Sequence, residues 1–128
     1  FFPHGLGHML GLDVHDMEDL DENLVGYLPG MERSKQFGLK SLRLARPLLP
    51  GFVFTVEPGI YFIPTLIDLW KADNKHPEFL NYAEIEKFKD FGGIRIEDNV
   101  VVTDTGVNIL GHPIPKSADA VCEIIRNG

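Results

Sequence analysis

The sequence has a single cysteine, Cys122, so no internal disulfide can staple it, and this sparing use fits a reducing, cytoplasmic compartment. No apolar run approaches the ~18 residues of a membrane span, and no basic-then-apolar leader is visible. Basic residues are not in surplus either. Twelve lysines and arginines face 19 acids, a formal charge of −7, which argues against a phosphate-rich nucleic acid as partner. Repeats and low-complexity tracts are absent. The remaining composition, 44% hydrophobic and 24% charged over 128 residues, predicts one ordered domain at most, burying roughly two-thirds of its unfolded surface. An initial methionine is also lacking. The chain starts at Phe1 inside its most motif-dense stretch and reads as a piece of something longer.

That stretch, Phe1 to Asp16, holds His4, His8 and His15, interleaved with Gly5, Gly7 and Gly11. His4 and His8 stand four apart, as a helical metal pair would. Two intervening glycines, each costing a helix about 1 kcal/mol relative to alanine, argue against that arrangement. So does the lack of a glutamate directly after the first histidine. Glycines flanking histidines suit instead a loop or irregular strand that brings backbone close to a ligand. One such loop holds too few ligands for a catalytic metal, so partners must come from further along.

The acidic run Met17 to Asn23 and the following Leu24 to Gly30 read as loop, a solvated turn lacking the Asp/Asn alternation of a calcium site. Ser41 to Arg46 alternates polar and apolar like a half-buried strand, and Arg43 or Arg46 is placed to bind a substrate carboxylate. Phe52 to Val56 predicts a buried strand, interrupted by Glu57 ahead of Pro58-Gly59. A carboxylate between Val56 and Ile60 needs a metal or a salt bridge to arginine, and both readings stand open.

Leu66 to Ala72 predicts an amphipathic helix. Asn81 is a candidate cap for a second, Tyr82 to Lys89, with Glu84 at its third position. Trp70 and Phe79 are expected to pack against the body, and His76 to be exposed. Ile94 to Val102 reads as one strand with Arg95 and Glu97 on the same face, turning at Asp104-Thr-Gly106 into a hairpin. Arg95 and Glu97 form either an ordinary ion pair or a ligand carboxylate with the arginine that holds it. Ser117 caps a terminal helix whose Val121, Ile124 and Ile125 share a face, with Cys122 as a packing residue.

Four motifs thus stand in order: His-Gly-Leu-Gly-His, a further histidine seven residues on, Thr-Val-Glu-Pro-Gly-Ile-Tyr, and Gly-Ile-Arg-Ile-Glu-Asp-Asn-Val-Val-Val-Thr. Together they resemble the C-terminal catalytic half of the pita-bread metallopeptidases, and the segment between Ile63 and Gly92 is most similar to prolidases and Xaa-Pro aminopeptidases. The resemblance covers nearly the whole chain. It implies an α+β fold with a curved, mostly antiparallel sheet, residues 1–128 forming part of the catalytic domain. It implies His8, Glu57 and Glu97 as ligands of a two-metal centre, Glu97 bridging and Glu57 also acting as base toward a metal-bridging water. His4 and His15 would contact substrate or support the ligands, His15 bonding the scissile carbonyl. Arg43 would bind the free carboxylate of a dipeptide and Arg95 would orient the carboxylates. Mn(II) suits such a donor set, with Co(II) or Zn(II) as alternatives.

The activity implied is hydrolysis of Xaa-Pro bonds in proline-containing dipeptides or oligopeptides, by a homodimer in the full-length protein. The resemblance also implies two aspartate ligands on strands before the histidine loop. Asp13 and Asp16 match neither, so residues 1–128 alone are expected to be inactive, with no complete metal site. Aminopeptidase P is the main rival, followed by a metal-free peptide-binding relative. A creatinase-like hydrolase fits less well.

Overall fold

The computed structural model describes residues 1–128. Its centre is an antiparallel sheet of β1 (Val53–Val56), β4 (Asp98–Thr103) and β5 (Gly106–Ile109), in the order β1-β4-β5. β-Branched residues dominate β1 and β4, and Phe54 stands opposite Val100, both buried. The histidine segment is an irregular edge strand along β1. Leu10 N donates to Val53 O at 3.0 Å, Thr55 N to His8 O at 3.0 Å, and Glu57 N to Leu6 O at 2.7 Å. The close approach that the glycines permit is therefore to β1 itself. A Cβ on Gly7 would lie 1.7 Å from the Thr55 carbonyl oxygen.

A second ladder pairs β2 (Gly59–Tyr61) with β3 (Gly93–Arg95). It continues the first after a break on both strands at the same height. Val56 faces Asp98 and Gly59 faces Arg95, leaving Glu57-Pro58 opposite Ile96-Glu97. Pro58 has no N–H to donate and serves only as acceptor, from Ile96 N at 3.1 Å. The single strand expected from Ile94 to Val102 is thus two strands, interrupted at Ile96-Glu97. The hairpin at Asp104 occurs as expected.

Helix α2 (Pro64–Ala72) starts with proline in its first turn, and Asn81 caps α3 (Tyr82–Ile85) by accepting from Glu84 N at 3.3 Å. A 3₁₀ turn, Glu86–Phe88, continues α3. Lys71 bonds Glu86 at 2.7 Å and holds that carboxyl below the usual range, while Lys89 is raised by its bond to Asp68. These exposed pairs register α3 on α2 but are screened by water. Trp70 packs edge-on against Phe37 and His76, whereas Phe79 is 81% exposed, contrary to expectation. Around Trp70, an apolar hollow lined by Phe1, Ile67 and Leu80 encloses only about 10 Å³, no more than a water's room, so it is packing.

Two other expectations change. The acidic run is not loop but part of helix α1 (Glu18–Gly26), kinked at Asp21, where carboxylates suit the positive helix start. Ser41 to Arg46 forms a 3₁₀ turn and extended chain, not a strand, because its partner is the end of α1. Ala45 N donates to Gly26 O at 2.8 Å, Tyr27 Oη to Leu42 O at 2.8 Å, and a Cβ on Gly26 would lie 1.7 Å from Arg43 O.

Helix α4 (Ala118–Asn127) is capped by Ser117 as read, yet Cys122, Ile124 and Ile125 are all exposed, so its apolar face packs on nothing. The expected two-thirds burial is not reached. Accessible surface is 9276 Å², against about 6,800 Å² for a compact monomer of this size. Ile60 and Ile94, paired across β2 and β3, are exposed as well.

Gly7→Ala must displace either the histidine edge or β1. We expect a loss of stability near the upper end of the ~1–3 kcal/mol typical of overpacking, read by urea unfolding. An unchanged midpoint would show that the two backbones are not in contact.

Candidate metal and substrate site

Because both ladders break at the same height, the side chains of the break gather beside the histidine edge. Glu57 is buried, its carboxylate only 9% exposed, between three partners. Thr55 Oγ1 donates to Oε1 at 2.9 Å, His8 Nε2 lies 3.2 Å from the same oxygen, and Arg95 Nη1 lies 3.2 Å from Oε2. Thr55, itself 2% exposed, also accepts from His8 N at 3.0 Å, so one hydroxyl ties histidine backbone to glutamate side chain. Arg95 Nη2 reaches Glu97 Oε2 at 3.3 Å. The guanidinium therefore bridges the two carboxylates, and both open readings of Glu57 and Glu97 include a real arginine contact.

His8 Nδ1 faces Met9 O at 2.9 Å. A carbonyl only accepts, so Nδ1 carries the proton and the lone pair of neutral imidazole is on Nε2, pointing at Glu57. Two acceptors at 3.2 Å repel unless a proton or cation lies between them. Imidazole nitrogen beside carboxylate, with the other ring nitrogen anchored to backbone, is a donor arrangement that fits a divalent ion. His8, Glu57 and Glu97 do not close into one three-ligand cluster, because Glu97 is 39% exposed and joined to Glu57 only through Arg95.

These groups open on a polar cleft of about 360 Å³ lined by His4, His8, His15, Arg43, Glu57 and Arg95, with Ser41 and two glycines completing it. That is within the range of small-molecule clefts. His4 Nδ1 donates to Gly5 O at 2.7 Å, leaving Nε2 to accept from Tyr61 Oη at 3.1 Å. His15 stands edge-on to His8, ring centroids 4.3 Å apart, and accepts at Nδ1 from Arg43 Nη1 at 2.9 Å. Arg46, the other candidate for a carboxylate, is elsewhere, over the Phe52 ring. Glu18 was missed in the sequence. Its side chain is 8% exposed and paired with Arg43, and nothing in an acidic run distinguishes the acid that will be buried.

The chain is 54% identical over 121 residues to human Xaa-Pro dipeptidase, covering 94% of this chain and 23% of that protein. It therefore spans about a quarter of the length of such relatives. The solved structure of Escherichia coli aminopeptidase P with the inhibitor Pro-Leu matches 99% of this chain and 20% of its own, at 34% identity and a TM-score of 0.55. The Zn-substituted form of that enzyme in complex with product matches equally, with the same identity, coverage and TM-score. The fold is accordingly part of the α+β pita-bread architecture of aminopeptidase P. The model for "Metallopeptidase family M24" matches residues 1–104, and with that match and a relative at 54% identity the chain belongs to this family.

Proposed function

We propose that the protein to which these residues belong is an Xaa-Pro dipeptidase, hydrolysing the bond before proline in dipeptides. The observation that carries this reading is the single polar cleft holding His8 beside Glu57 at one wall and Arg43 beside His15 at another. His8, Glu57 and Glu97 are the ligands offered to a pair of divalent ions. Such ions supply a water acidified to near neutrality and a positive clamp on developing negative charge. Mn(II) is the preferred identity because carboxylates predominate, with Co(II) or Zn(II) as alternatives. Divalent-metal use has support in the metallopeptidase family and in the Zn-substituted Escherichia coli enzyme.

The chain's own residues then divide the work. Arg43 binds the terminal carboxylate of the dipeptide and fixes which bond lies over Glu57. Glu57 takes the proton of the attacking water and passes it to the departing proline nitrogen. His15, whose Nδ1 is occupied by Arg43, presents its Nε2 proton to the scissile carbonyl. Arg95 holds Glu57 and Glu97 in place, and His4, bonded to Tyr61, shapes the adjoining wall. A proline bond has no N–H, and none of these groups requires one.

Residues 1–128 are read as part of a catalytic domain, inactive alone because two further aspartate ligands are implied from outside it. The uncovered faces of α4 and of the β2–β3 ladder would then be buried in the complete protein, a homodimer in the cytoplasm. Aminopeptidase P is the second reading, supported by the solved structures; the 54% identity to a dipeptidase favours the first.

In the full-length protein with Mn(II), an Xaa-Pro dipeptide should be turned over in preference to an Xaa-Pro tripeptide. Preference for the tripeptide would move the assignment to aminopeptidase P. Glu57→Gln should lower kcat by at least about 10²–10⁴-fold; retained turnover would place the base elsewhere. Thr55→Val removes the hydroxyl joining His8 to Glu57 and should weaken metal binding by roughly 10–100-fold in calorimetric titration. Unchanged affinity would deny Thr55 any part in ligand positioning.

A further inference from the structure

Arg43 is held by an acid that nothing in the proposed reaction uses. Glu18 Oε2 accepts from Arg43 Nη1, and the same nitrogen donates to His15 Nδ1 at 2.9 Å. Nη1 carries a pair of hydrogens, so both are taken up by protein groups. Neither Nε nor Nη2 has a protein partner. Those two nitrogens form one edge of the guanidinium, the edge that matches a carboxylate with two parallel hydrogen bonds.

The geometry is asymmetric in burial too. The Glu18 side chain is 8% exposed and that of Arg43 is 38% exposed, while Arg43 lines the cleft and Glu18 does not. The carboxylate therefore sits behind the arginine, outside the space a ligand would enter. Its placement is fixed by backbone. Met17, the cap residue just before it, adopts φ 57°, a left-handed conformation that methionine rarely takes, and Glu18 follows as the first residue of α1. From the opposite side, the contact of Gly26 with the Arg43 carbonyl fixes the arginine's own backbone against the end of α1.

We propose that Glu18 is a positioning residue for recognition of the substrate's C-terminal carboxylate. It engages Nη1 of Arg43 so that the Nε–Nη2 edge faces the cleft, and through Arg43 Nη1 it keeps His15 protonated on Nε2. The proposal rests on the dipeptidase reading for the identity of the ligand. It adds a residue and a division of the guanidinium into a protein-bound edge and a ligand-bound edge. A free arginine side chain would have to surrender its rotamer freedom on each binding event, which a partner behind it has already removed.

The test uses the full-length protein and a pair of ligands, Ala-Pro and its C-terminal amide. For Glu18→Ala the KM for Ala-Pro should rise about tenfold with a smaller change in kcat, while kcat/KM for the amide stays within about twofold. Glu18→Gln, which keeps the volume and one acceptor, should fall between wild type and Glu18→Ala. In an Arg43→Ala background the Glu18 effect should vanish. The nitrogen shifts of His15 should report a move away from the Nε2–H tautomer in Glu18→Ala.

Equal losses on both ligands would mean that Glu18 only supports the fold, and a lower KM for Ala-Pro would mean that it competes with the substrate. Either result overturns the proposal. Calorimetric binding of the same pair to chelator-treated protein separates this inference from the assignment of activity. If Ala-Pro binds in a Glu18-dependent manner but is never hydrolysed, the dipeptidase reading falls and the role of Glu18 stands. If wild type binds Ala-Pro no better than its amide, the carboxylate site itself is absent and the proposal fails.

Discussion

The structure turns on one buried carboxylate. Glu57 lies in an apolar strand where an unpaired charge would be expelled or neutralised. It is retained because a hydroxyl and a guanidinium donate to it, from the residue two before it and from the partner strand, while the His8 imidazole faces it from the histidine edge. Each of these partners constrains something else. Thr55 can reach both Glu57 and the His8 amide only if the histidine segment lies directly on β1, and that contact leaves no room for a side chain at position 7. Arg95 can reach it only because the β2–β3 ladder stays in register with the break.

The break has its own cause. Pro58 cannot donate across the sheet, and regular pairing lapses on the opposite strand at Ile96-Glu97 to match. The pairing is the same on both sides of the break, so Glu57 stands opposite Glu97, and alternation puts Arg95 on the same face as Glu97. Two residues on each strand leave the ladder and no extra residue is inserted, so the facing glutamates keep their common height. Arg95 can then span the pair.

Much of this was legible in the sequence because functional groups appear there as exceptions to a pattern. Glu57 interrupts an apolar run, Arg95 and Glu97 interrupt a β-branched one, and glycines surround the histidines. The caps Asn81 and Ser117 were readable for a similar reason, since capping is local chemistry. What could not be read depends on distant partners. Alternation in Ser41 to Arg46 looked like a strand, yet the end of α1 takes up its backbone groups. The acids of α1 looked equally solvated, yet Arg43 and a left-handed Met17 select Glu18 alone for burial. The apolar face of α4 is legible, but amphipathicity says that a face should be covered, not by what.

Both arginine–glutamate arrangements in the cleft share a polarity that bears on how an acidic chain can accept an anionic ligand. At each wall the carboxylate is the less exposed partner, Glu18 behind Arg43 and outside the cleft, Glu57 beside Arg95 and lining it, while each guanidinium reaches water. The net charge of −7 is spread over the whole chain, and at physiological salt its influence decays over about 8 Å. What an anion meets on entering is therefore set by the groups within that distance: Arg43, whose Nε and Nη2 are free, and Arg95, whose two terminal nitrogens are engaged by Glu57 and by the more exposed Glu97. Arginine suits this arrangement better than lysine. Its planar fork can be divided, one edge satisfied by a buried acid and the other left for the ligand, whereas a point charge engaged from behind keeps no fixed direction. Selectivity for an anionic end would then arise from the orientation of cations whose charge is already balanced, which is why it is invisible in any count of charged residues.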